Sequence, residues 1–84
     1  MDSNQLINLN QRIQSLLIEA LQIPAEQATS DLQFGDLPQW DSMGHMEVMI
    51  YLENEFGIEI NPETISNLTS FSTIRQYLQD HGHV

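Results

Sequence analysis

Leu6, Leu9, Ile13, Leu16 and Ala20 recur at spacings of three and four, and Ile7, Leu17 and Leu21 widen the same stripe. Asn10, Gln11, Gln14 and Glu19 fill the opposite side. This pattern predicts an amphipathic helix over about residues 3–21. Asp2 or Ser3 can cap its start, and Pro24 follows its end. A second stripe, His45, Val48, Met49, Leu52 and Phe56, predicts a helix over 42–56. Asp41 is placed to cap that helix, and Gly57 to stop it. A short helix is expected over 62–67, capped by Asn61, with Pro62 at the first helical position where no N–H is needed. A fourth, over 71–80, is capped by Ser70 and turns Phe71, Ile74 and Leu78 inward with Tyr77 beside them.

Residues 22–40 carry no helical stripe. Pro24, Gly35 and Pro38 punctuate them, yet Ile23, Ala28, Leu32, Phe34, Leu37 and Trp40 are apolar. A connection this long inside a compact domain calls for a reason. We expect an ordered loop that pins these side chains across helix ends, with room for a short helical turn and with Phe34 and Trp40 as anchors. Ile58-Glu59-Ile60 alternates but is too short to build a sheet. The expected fold is all-α: a small four-helix bundle of three main helices plus one short helix, with a long ordered loop between helices one and two. Residues 1–84 are expected to form a single domain.

Charge narrows the possible partners. The chain has 84 residues, 12 acids against 2 bases (Arg12 and Arg75), no Lys, and a net charge of −10. Two cations cannot neutralise a run of phosphates, so nucleic acid is excluded as a partner, and anionic membrane surfaces are disfavoured. No apolar run approaches a membrane span, and Met1–Gln5 lacks the features of a signal peptide. With no Cys there is no disulfide framework and no thiolate nucleophile. The cytoplasm is the expected location.

An ordinary active site is hard to find. His45 falls on the core side of helix two and reads as structural. His81 and His83, near the C-terminus, are a weak metal signal. The glycines form no phosphate-cradling loop, and residues 31–36 lack the alternating oxygens of a calcium loop. No catalytic residue and no metal ligand is expected. The informative stretch runs from Leu37 to Glu47. It sets Ser42 at a helix start beside a capping Asp41, where outward amides and the positive end of the macrodipole favour a phosphate ester. Gly44, costly in a first turn, reads either as open ground beside Ser42 for an approaching enzyme or as a tolerated neutral choice. On local physics alone, Asp41-Ser42 is equally a plain capping pair.

The whole stretch resembles the acyl carrier protein family. Its Asp-Ser-Leu appears as Asp41-Ser42-Met43. The following helix continues through Glu47-Val48 and Leu52-Glu53-Asn54-Glu55-Phe56-Gly57-Ile58-Glu59-Ile60. Then come Asn61-Pro62-Glu63 and Leu68-Thr69-Ser70-Phe71-Ser72-Thr73-Ile74. The resemblance covers essentially the whole chain, and Met43 for the usual Leu is its departure. It implies that Ser42 is esterified with 4′-phosphopantetheine by a phosphopantetheinyl transferase, with coenzyme A as donor. Acyl or aminoacyl groups then ride as thioesters on the terminal thiol. It also implies that enzymes with basic docking surfaces read helix two: a loading enzyme and a downstream synthase or transferase. Asp41 and Glu47 are the implied charged contacts, and Met43, Met46 and Ile50 the apolar ones. Residues 43, 46, 47 and 50 share one face, distinct from the core stripe. Seven acids and no Lys or Arg lie between Asp36 and Glu63. The plainer alternative for these acids is a face that keeps a small protein soluble. The expectation is a discrete, monomeric carrier of polyketide, nonribosomal-type or other specialised biosynthesis. The alternatives are an aminoacyl or D-alanyl carrier, or an unmodified acidic interaction module.

Overall fold

The computed structural model of the chain describes residues 3–82. Four helices follow one another: α1 (Ser3–Leu21), α2 (Ser42–Phe56), α3 (Pro62–Asn67) and α4 (Phe71–Asp80). Three are long and one is short, as the apolar stripes require. Among the described residues there is no β-strand, only one isolated bridge between Gln33 and Ser70.

α1 buries Leu9, Ile13, Leu16, Leu17, Ala20 and Leu21 against α2 and α4. Leu6 and Ile7, expected in the same stripe, are exposed. Periodicity assigns a face but not a length of contact, and here the packing begins only at Leu9. The expected cap at Asp2 lies outside the described residues, and Ser3 is already helical. The other end closes without glycine. Gln22 takes the left-handed conformation at φ 57°, and the Ile23 N–H donates to the Ile18 carbonyl at 3.2 Å. This is the six-to-one bond of a Schellman ending.

α2 buries His45, Val48, Met49, Leu52 and Phe56, the whole expected stripe. The Asp41 carboxylate accepts from the Gly44 amide at 2.9 Å, and Gly57 at φ 72° ends the helix. α3 and α4 both open with capping boxes, Asn61 with Thr64 and Ser70 with Thr73. Each box satisfies two backbone donors that lack partners within the helix.

Between α1 and α2 the chain makes a single 3-10 turn, Ala25–Gln27. Beyond it, Leu32 and Phe34 are held by backbone bonds to the α3–α4 connection and to the first residue of α4. Phe34 N–H donates to Thr69 O at 2.8 Å, and Phe71 N–H donates to Leu32 O at 2.9 Å. Ile23, Ala28, Leu32 and Trp40 are buried in the same apolar cluster as the helix stripes. Phe34, expected as an anchor, is 42% exposed. Its backbone is pinned to Thr69, while its ring lies edge-on to His45 with centroids 5.7 Å apart.

Candidate functional site at the start of the second helix

Asp41 leaves the preceding turn in extended conformation, and its side chain caps the helix. Ser42 is the first helical residue and is exposed. The first i to i−4 bond of α2 runs from the His45 N–H to the Asp41 carbonyl at 2.8 Å. The Ser42 and Met43 amides therefore precede the helical ladder, at the positive end of the macrodipole.

Met43 is 81% exposed, Met46 39% and Ile50 40%, and Glu47 is exposed between them. The structure thus brings 43, 46, 47 and 50 onto one outward face beginning beside Ser42. The core stripe lies behind it. All seven acids from Asp36 to Glu63 are exposed. Glu55 differs in that it turns toward α1, where Arg12 donates to its carboxylate at 3.0 Å and the guanidinium rests 4.3 Å from the Phe56 ring centroid. An exposed pair of this kind contributes about 0–1 kcal/mol.

Gly44 corrects one of the sequence readings. The space beside it is not open to an approaching enzyme, because the chain's own turn fills it. A Cβ at this position would stand 2.0 Å from the Gln39 carbonyl oxygen and 3.1 Å from Leu21 Cδ2. Glycine lets the turn before α2 lie directly against the first helical turn. Nothing in the local pattern revealed this, since the contact joins residues on either side of the cap.

Behind Gly44, His45 is 5% exposed and both ring nitrogens are engaged. Trp40 Nε1–H donates to His45 Nδ1 at 3.1 Å, and His45 Nε2 lies 2.7 Å from the Ile65 carbonyl. A carbonyl only accepts, so the ring is the neutral tautomer with its proton on Nε2. The structural reading of His45 thus acquires partners on two other segments. Trp40 is wholly buried; its backbone N–H donates to Leu37 O, and its backbone carbonyl accepts from Gly35 N–H.

His81 stacks on Tyr77 at 3.9 Å and donates from Nδ1 to the Tyr77 carbonyl at 2.9 Å. His83 lies outside the described residues. Among the described residues no three His, Cys, Asp or Glu side chains gather as a metal site, and no helix is long and apolar enough to cross a membrane.

A small all-α bundle offering a serine at a capped helix start, beside an apolar and acidic face, has the form of a carrier domain. Residues 11–78 match the phosphopantetheine attachment site family, and the chain belongs to it. Its prosthetic group is covalently attached 4′-phosphopantetheine. Carrier domains of this family work with the enzymes that modify them and with synthases. The residues at the start of α2 fit such a group: they present an exposed hydroxyl on a helix turn held by its cap, with open surface beyond it.

Proposed function

We propose that Ser42 is the attachment residue and that this single carrier domain delivers acyl or aminoacyl cargo between enzymes in the cytoplasm without catalysing a reaction itself. The observation that carries this is the position of Ser42 within the matched region. Ser42 is exposed at the start of a long helix whose capping is done by its neighbour Asp41. The attached group supplies a terminal thiol that holds the cargo as a thioester. The chain itself presents that group on a rigid turn and offers Asp41 and Glu47 as charged contacts, with Met43, Met46 and Ile50 as apolar ones. Exposed methionines suit a surface read by several enzymes, because their side chains adapt to different partners. The Trp40-Asp-Ser-Met-Gly-His45 stretch supports a carrier of polyketide, nonribosomal-type or other specialised biosynthesis.

Intact mass after incubation with coenzyme A and a broad-specificity phosphopantetheinyl transferase tests the assignment. Wild type should gain one phosphopantetheine, and Ser42→Ala should gain none. A gain retained in Ser42→Ala moves the site to another residue.

A further inference from the structure

The hydrogen bonds of His45 straddle Ser42. Trp40 lies two residues before the serine and His45 three after it, and the Trp40 indole N–H reaches His45 Nδ1 at 3.1 Å. On the far side His45 Nε2–H reaches the carbonyl of Ile65, 20 residues away in α3, at 2.7 Å. That carbonyl belongs to the last four of α3, which have no acceptor role within the helix. An aliphatic side chain at position 45 would fill the same apolar stripe. A buried imidazole is tolerated only because both nitrogens are bonded, and both bonds leave its own helix. What the imidazole adds over a leucine is therefore direction: it ties the turn before the serine to the helix behind it. The Gly44 contact with Gln39 locks the same turn a second time.

We propose that His45, acting with Trp40, is a positioning residue for the modification of Ser42. The chain Trp40–His45–Ile65 holds the serine turn in register with α3, so that the hydroxyl is oriented before a transferase arrives. The inference rests on Ser42 being the attachment residue. In the transfer, Ser42 Oγ attacks the phosphorus of coenzyme A that bears the pantetheine. The Oγ–P bond forms, and the P–O bond of the pyrophosphate bridge breaks. Adenosine 3′,5′-bisphosphate leaves, and the serine proton passes to a base of the transferase. A nucleophile displaced by about 1 Å can lose on the order of a hundredfold in such a step. His45 and Trp40 touch none of the reacting atoms, and they act through the backbone on which Ser42 sits.

The test is transfer kinetics on wild type, Trp40→Phe, His45→Gln and His45→Leu, each held well below its own melting temperature so that every sample is folded. Trp40→Phe and His45→Leu should lower kcat about fivefold or more with KM within about twofold, because the outward face that binds the enzyme is untouched. His45→Gln keeps an N–H donor for Ile65 and should fall between them and wild type. Nitrogen-15 spectra of wild type should show His45 protonated at Nε2 alone and a slowly exchanging Trp40 indole N–H. Should His45→Leu fail to fold, Trp40→Phe, which removes one N–H and keeps an aromatic ring, still decides the matter. Unchanged kcat in the folded variants, or a proton on Nδ1 of His45, overturns the positioning role while leaving Ser42 as the attachment residue. A wild-type protein that takes up no phosphopantetheine overturns the attachment reading, and the positioning role falls with it.

Discussion

Two helices of this protein begin beside a serine, and they use it in opposite ways. At α4 the serine is the cap. Ser70 Oγ accepts from the Thr73 amide at 3.1 Å, Thr73 Oγ1 accepts from the Ser70 amide at 3.1 Å, and the first helical residue, Phe71, is buried. At α2 the cap is a carboxylate one residue earlier. Asp41 takes the Gly44 amide, and Ser42 and Met43 behind it face solvent. The physics of the helix start is the same in both places. What differs is which side chain performs the capping, and that decides whether a hydroxyl remains for other chemistry. A helix N-terminus becomes presentable when the cap and the reactive group are separate residues.

Exchanging the serines should expose this difference most sharply. Ser42→Ala should abolish phosphopantetheine uptake in an intact-mass assay yet leave stability within about 0.5 kcal/mol. Ser70→Ala should do the reverse, lowering stability by about 1 kcal/mol in denaturant unfolding while uptake persists. Gly44→Ala attacks the support of the first site. Its methyl group meets backbone, so a loss of about 2–3 kcal/mol is expected, with a fall in Tm on the order of 10–20 °C in a thermal melt. Asp41 separates cap from charge. Asp41→Ala should cost about 1 kcal/mol, whereas Asp41→Asn keeps the acceptor and should cost much less while still slowing a basic partner enzyme at low salt. The smallest structural effect is expected from Glu47→Lys. Its stability should change by no more than about 0.5 kcal/mol, while transfer by a basic enzyme slows at low salt and the gap to wild type narrows at high salt. Equal rates at low salt would remove Glu47 from the docking face.

The parts of the fold that sequence made legible are those governed by neighbours along one helix. The five buried residues of α2, the caps at Asp41, Asn61 and Ser70, and the stop at Gly57 all follow from spacing and side-chain chemistry within a few residues. The misreadings come from contacts that spacing does not encode. Leu6 shares a face with Leu9, but the elements packed on α1 do not reach it, and Ile7, two residues from Leu9, turns away from that face. Gln22 closes α1 in the conformation that glycine usually marks, so no signal stood at that position. Neither open ground nor a neutral choice describes Gly44, because Gln39, on the other side of the cap, fills the space beside it. His45 was legible as buried, but its partners Trp40 and Ile65 come from the preceding turn and from α3. At the candidate site, the outward face 43, 46, 47 and 50 follows from helical period alone. The assignment of Ser42 came from resemblance, since an Asp-Ser pair at a helix start is otherwise only a cap.

The occupied imidazole of His45 bears on how long a cargo would last. Thioesters are lost to nearby amines and to free imidazoles, which attack the carbonyl and release the thiol. The chain has no Lys, and its two side-chain cations are guanidiniums, which stay protonated and do not attack. Arg12 is further engaged by Glu55 and the Phe56 ring. The one histidine in the serine's helix has its Nδ1 lone pair taken by Trp40 and its Nε2 proton taken by Ile65. Among the described residues, the surroundings of Ser42 are chemically quiet toward an activated acyl group. On the proposed function, discharge of such a group would be left to the enzymes that collect it.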